Sequence, residues 1–209
     1  MPRLDDPLGE VSVRRARPSD RGAAELVYRA APSELAALAG SPDRARAALT
    51  CAWPLGGHSA SYEFAWVAEV GGRLAAVAIA FPARRRHSLH AALVRRVLRD
   101  LPPARRLRLP FALAWLAASS PRPPRDAFYL GTLAVAARFA RRGVASAFRD
   151  PIVAHARALG CSRLACHTGV RHVPARRALE RNGMRVRRER PRGYALYVME
   201  LAGDDGAEV

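Results

Sequence analysis

The sequence predicts one α/β domain built around a mixed sheet. Three observations carry that expectation. Half of the 209 residues are hydrophobic, enough for a full core in a single domain spanning 1–209. The first half holds an apolar hairpin, with strands over 64–70 and 73–81 joined by the tight turn Gly71-Gly72. In the second half, β-rich runs alternate with helical stretches, the pattern of a sheet flanked by helices.

The elements follow in order. Residues 11–16 alternate weakly and read as a first strand. Pro18-Ser19-Asp20 supplies turn chemistry and an N-cap for a helix over 21–30, followed by helices over 33–39 and 42–52 and a loop over 53–58. After the hairpin, Leu89, Leu93, Val97 and Leu101 recur every fourth position, the stripe of an amphipathic helix. Pro102-Pro103 ends it, and a more apolar helix runs to about Ser119. This helical insertion, 84–125, is expected to pack its leucine stripe on the domain, the alternative being an arginine-rich helix lying on a membrane surface. Then come a strand over 128–135, a helix over 143–159, a strand over 162–168 and a helix over 174–182. Strands over 184–189 and 194–201 complete about seven, and an acidic tail follows at 202–209.

All 35 basic residues are arginine, and alanine occurs 43 times. Such a bias accompanies a GC-rich genome, so part of the net charge of +17 reflects codon composition. The charge is uneven: 1–69 carry −1, 70–199 carry +22 and 200–209 carry −4. A positive second half suits an anionic partner, whether nucleic acid, an acidic membrane or a phosphorylated cofactor. Cys51, Cys161 and Cys166 form no disulfide framework, which fits a reducing cytoplasm. The acidic, polar N-terminus does not read as a signal peptide. The longest apolar stretch, about 107–118, is too short for the roughly 20 residues a bilayer span needs. No histidine spacing suggests a metal.

The segment that carries chemistry is 133–146: a strand end, a loop rich in arginine, then Gly143, Val144, Ala145 and Ser146. Small residues let the backbone approach a ligand, and unpaired N–H groups at a helix start attract anions. Arg141 and Arg142 add forked donors, so a diphosphate suits the loop. Neither GxxxxGK[ST] nor GxGxxG is present, so a P-loop nucleotidase and a Rossmann dehydrogenase lose support.

Tyr129-Leu-Gly-Thr-Leu-Ala-Val followed by Arg142-Gly-Val-Ala-Ser-Ala147 resembles the acetyl-CoA-binding motif of the GCN5-related N-acetyltransferases, written Q/R-x-x-G-x-G/A. Ala175–Met184 resembles the family's later A-x-x-F-Y-E-x-x-G-F segment, and Arg14-x-Ala16-x-x-x-Asp20 its first strand and turn. The likeness covers roughly 11–201. Pro151 and the extra helices resemble the puromycin N-acetyltransferase-like branch.

The resemblance implies a sheet splayed between its fourth and fifth strands. It implies that Leu133, Ala134 and Val135 hold the pantetheine arm of acetyl-CoA, and that Arg141, Arg142, Gly143, Val144, Ala145 and Ser146 hold its pyrophosphate. A backbone N–H near Val135 would stabilise the oxyanion. An amine, expected to belong to a small molecule, attacks the thioester directly. Ala140 stands where the motif opens with Gln or Arg. Leu179 stands where the family often has the tyrosine that protonates the leaving thiolate. His167 is the candidate base, with His172, Glu63 and Glu69 behind it, and Tyr129, Tyr194 and Tyr197 are candidate acids. Cys166 and His167, adjacent on a strand, point to opposite faces and make no dyad. The rival reading is a catalytically weak CoA-binding module with a basic surface for nucleic acid or another anionic partner. An enzyme without membrane or nucleic-acid partners, with a homodimer possible, is the expectation.

Overall fold

The computed structural model describes residues 10–99 and 109–201. Seven strands form one sheet: β1 (Val11–Arg15), β2 (Ala65–Val70), β3 (Arg73–Pro82), β4 (Ala127–Val135), β5 (Arg163–Gly169), β6 (Arg185–Glu189) and β7 (Tyr194–Glu200). Their order is β1-β2-β3-β4-β5-β7-β6. Every neighbouring pair is antiparallel except β4 and β5, which run parallel. The β2–β3 hairpin turns on Gly71 and Gly72, both at positive φ (55° and 70°). That is the backbone a two-residue hairpin of matching twist requires.

Seven helices flank the sheet among the described residues: α1 (Gly22–Ala30), α2 (Pro32–Ala39), α3 (Pro42–Ala52), α4 (Arg86–Arg99), α5 (Leu109–Ser119), α6 (Arg149–Ala158) and α7 (Val173–Arg181). Two cores result. On one face Val67, Val77, Ile79, Phe81 and Tyr129 pack with α1, α3 and Leu89 of α4. On the other, Trp66, Phe128, Cys166 and Tyr197 pack with Ile152 of α6 and the loop before it. Cys166 sits in this second core, while its neighbour Ala165 faces the first, as strand alternation requires.

Two expectations change. Asp20 does not cap α1, whose N-cap is Arg21 without a side-chain bond. Asp20 instead accepts from the Arg17 N–H at 2.7 Å and from Arg14 at 2.8 Å, and Arg14 reaches Glu69 on β2 at 2.5 Å. The Arg14 guanidinium holds the Asp20 carboxyl below its usual range. The ion pairs therefore tie β1 to the chain entering α1.

The helix expected from Gly143 begins later. Gly143 lies at φ 81°, outside helical space; a 3₁₀ turn follows at Ser146–Phe148, and α6 starts at Arg149. Pro151 then falls in the first turn of α6. There its missing N–H costs nothing, because first-turn N–H groups have no partner within the helix. The stripe of the insertion is seen in α4, with Leu89 buried and Leu93 packed on the core; Leu101, Pro102 and Pro103 lie outside the described residues.

Candidate active site at the split of the sheet

β4 and β5 pair only over Ala127–Leu130 and Arg163–Cys166. Beyond that point they part. His167, Thr168 and Gly169 pair with β7 alone, while β4 runs on beside β3 to Val135. Gly131 marks the parting. Ala80 opposes Leu130 and Ile79 opposes Thr132, so Gly131 is the extra residue of a bulge, a device that bends a strand. A Cβ there would lie 3.3 Å from the Tyr129 ring, so the bend is built on a residue without one.

The split leaves one edge of β4 open. The Ala136 N–H donates to Ala75 O at 2.8 Å, toward β3. Backbone groups alternate between the two edges, so Ala134 also points toward β3, whereas Leu133 and Val135 turn their N–H and C=O groups into the gap. The Leu133 side chain is 37% exposed, an apolar surface beside that edge. Ala134 contributes packing instead, half-buried against the first core.

β4 leads into the arginine loop. Phe139, Val144 and Phe148 are buried in the second core and anchor it. Between the anchors, Arg141 (φ 62°) and Gly143 (φ 81°) both take left-handed conformations. For arginine that backbone is strained, and such strain concentrates at ligand sites. Alternation of this kind turns successive N–H groups inward as an anion-binding nest. Among the described residues the N–H groups of Arg141, Gly143, Val144 and Ala145 donate to no backbone carbonyl, while Ser146 donates to Gly143 O at 2.9 Å. The side chains of Arg141 and Arg142 flank the nest, Arg141 exposed and Arg142 half-buried.

On the α1–α4 side of the split lies a polar cluster. His167 Nε2 is 2.6 Å from Pro121 O, so it carries the hydrogen and donates it. Nδ1 therefore accepts from the Tyr129 hydroxyl at 3.0 Å. Both ring nitrogens are engaged, and neither is free to take a proton from an amine. Burial, reinforced by the Arg86 charge, holds the imidazole down at a pKa of about 4. Burial also pushes the Tyr129 hydroxyl up. The Arg86 guanidinium lies 5.3 Å from the centre of the Tyr129 ring. Nearby, Tyr194 donates to Glu34 of α2 at 2.9 Å, and burial followed by the Glu34 contact raises the Tyr194 hydroxyl.

The other candidates are placed elsewhere. Glu69 is paired with Arg14, and Glu63 accepts from the Gly57 N–H at 2.8 Å. His172 caps α7, accepting from the Ala175 N–H. It also lines a cleft of about 580 Å³ at the end of β5 with Arg171, Arg192 and Gly193. Tyr197 donates to Glu180 and accepts from Arg176 beneath α7, and Leu179 packs in the second core. Cys166 is buried, its thiol pushed up to about 12, so it is no nucleophile.

Glu34, Arg86 and the Pro121 carbonyl escaped the sequence reading. Glu34 lies 160 positions from its partner Tyr194, and no local pattern signals such a pair. Gly131 could have been found, since an isolated glycine within a strand pattern signals a bulge.

The profile of the acetyltransferase (GNAT) family matches residues 29–184, well over half of the chain. The protein belongs to that family. No curated protein matches the chain. Among solved structures, one titled as an acetyltransferase superposes with a TM-score of 0.71 at 20% identity, over 91% of this chain and 100% of that one. An N-acetyltransferase from Staphylococcus aureus Mu50 gives 0.70 at 20% identity, over 90% of this chain and 100% of that one. A Bacillus subtilis acetyltransferase in complex with CoA gives 0.54 at 12% identity, over 92% and 100%. These likenesses show the fold; they do not single out the puromycin N-acetyltransferase-like branch. Among the described residues no helix is long and apolar enough to cross a membrane.

Proposed function

We propose that the protein is an N-acyltransferase that moves an acetyl group from acetyl-CoA to the amine of a small molecule. One observation carries the reading: the split of the sheet runs directly into a nest in which the Arg141, Gly143, Val144 and Ala145 amides donate to no backbone carbonyl among the described residues. An extended arm beside Leu133 and Val135 brings its diphosphate to Arg141, Gly143, Val144 and Ala145. The residues present fit acyl-CoA, since the contacts required are backbone contacts and the replacement of Gln or Arg by Ala140 removes none of them. Ser146, its amide already bonded to Gly143 O, contributes through its place in the turn rather than through its N–H.

Bound acyl-CoA supplies a thioester carbonyl at which an amine forms the new C–N bond as the C–S bond breaks. The chain holds the two reactants in line, which replaces a bimolecular encounter by a positioned one. A backbone N–H of the open edge, at Leu133 or Val135, donates to the oxygen that gains charge. His167 holds the Tyr129 hydroxyl rather than serving as base. At pH 7, protonating a group of pKa about 4 costs about 4 kcal/mol, so the amine's proton leaves to water. Leu179 cannot donate a proton, and the Tyr129 proton is held by His167, so the thiolate takes one from water. The α4–α5 excursion supplies Arg86 and the Pro121 carbonyl, and so forms a wall of the acceptor site.

Incubation with acetyl-CoA and a panel of primary amines, read by mass spectrometry, tests this. The expected result is an acetyl group on at least one amine with matching release of free thiol. Thiol release without acetylated amine would refute the transfer.

A further inference from the structure

Arg86 meets the Tyr129 hydroxyl and ring but, among the described residues, no acid. Its Nε is buried and makes no hydrogen bond, and among the described residues no carboxylate forms an ion pair with it. Its surroundings are mostly aromatic: the Tyr129 ring at 5.3 Å, with His90 and His167 both held at pKa values of about 4 by burial and by the Arg86 charge itself, while the acid of this cluster, Glu34, accepts from Tyr194 and forms no ion pair with Arg86. Phe81, which packs against the Tyr129 ring, is apolar. A half-buried guanidinium in such a setting costs free energy unless an anion meets it.

The missing anion is not the diphosphate of CoA. Arg86 stands over Tyr129, before the split, whereas the amide nest follows Val135. Six residue steps along the strand lead from Tyr129 to Val135, about 20 Å at the usual rise, and the nest lies beyond. The site at Arg86 is therefore at the reacting end of the gap, beside the last β4–β5 pair, Leu130 with Cys166. One guanidinium fork among aromatic rings suits a singly charged, planar carboxylate, which it can grip through two parallel bonds.

We propose that Arg86 binds a carboxylate on one of the two reactants, so that substrate choice at this site requires one. The inference rests on the acyl-transfer reading. The carboxylate arrives either on the acceptor, making it an amino acid-like amine, or on the acyl group, making the donor a dicarboxylic acyl-CoA.

Calorimetry on the full chain separates these sources with two matched pairs. The first is 4-(aminomethyl)benzoate against benzylamine, titrated into protein saturated with CoA. The second is succinyl-CoA against acetyl-CoA. One pair is expected to show at least tenfold tighter binding of its carboxylate member, and which pair shows it names the source. Arg86→Gln should equalise that pair, while Arg86→Lys, which keeps the charge, should retain part of the gain. CoA alone should bind the parent and both variants equally, because the nest is elsewhere. Equal affinities within both pairs in the parent, beside intact CoA binding, overturn the carboxylate assignment alone. A gain that survives Arg86→Gln overturns it as well. Absence of CoA binding by the parent refutes the acyl-transfer reading itself.

Discussion

Acid should weaken this fold through His167 before it acts through the carboxylates. The imidazole is held at about 4 in the fold against 6.5 when free, because burial disfavours its charged form. Between those values the unfolded chain binds a proton that the native one does not, so stability falls as pH drops from about 6.5 toward 4. A difference of about 2.5 units at 1.36 kcal/mol each gives on the order of 3 kcal/mol from this residue. His90, also held at about 4, adds a similar slope in the same window. Asp20 and Asp126, whose pKa values are lowered from 3.8, lose their contribution only below that window. Urea unfolding at pH 7, 5.5 and 4 measures the slope. His167→Asn should be less stable at pH 7, having lost the bonds to Tyr129 and Pro121. Its stability should then fall less steeply with acid, by about 3 kcal/mol over the window. Parallel pH profiles of parent and variant would refute the burial argument.

Three further outcomes are expected. Leu179→Ala should lower stability by about 1–3 kcal/mol, through a packing loss in the second core, with CoA affinity unchanged; thermal melts and calorimetry check both. Gly193→Ala should destabilise by a similar amount, since its Cβ would lie 2.5 Å from Ser119 O and must push the β6–β7 turn off the end of α5. Binding to duplex DNA or RNA should be weak at physiological salt and fall further with added salt, whereas a submicromolar, sequence-selective complex would favour the nucleic-acid reading.

Much of the fold was legible because its signals are local. The glycine pair fixed the hairpin, and the leucine spacing fixed α4. The arginine loop was recognisable because its small residues and its resemblance to a family motif pointed to one backbone-built site. What sequence could not supply was long-range. The start of α6 depended on Gly143 adopting φ 81° and on Pro151 having to fall in a first turn. The engagement of His167 depended on a carbonyl 46 positions away, at the end of an excursion whose docking no local pattern predicts. Residue type made His167 a candidate base; only its two hydrogen bonds and its burial show a neutral ring that positions Tyr129. Arg86 was one arginine among 35 until the structure put it over an aromatic ring, with no acid paired to it among the described residues.

The central claim is that the amide nest at 141–145 holds the diphosphate of CoA. Gly143→Asp tests it most directly. A Cβ at Gly143 meets nothing within 4 Å, so the aspartate occupies open space where the anion would sit, at a backbone cost of about 1 kcal/mol for its positive φ. Titration of CoA into the folded variant should show affinity at least tenfold below that of the parent, about 1.4 kcal/mol or more. Unchanged affinity in a variant that melts cooperatively would contradict the assignment of this loop.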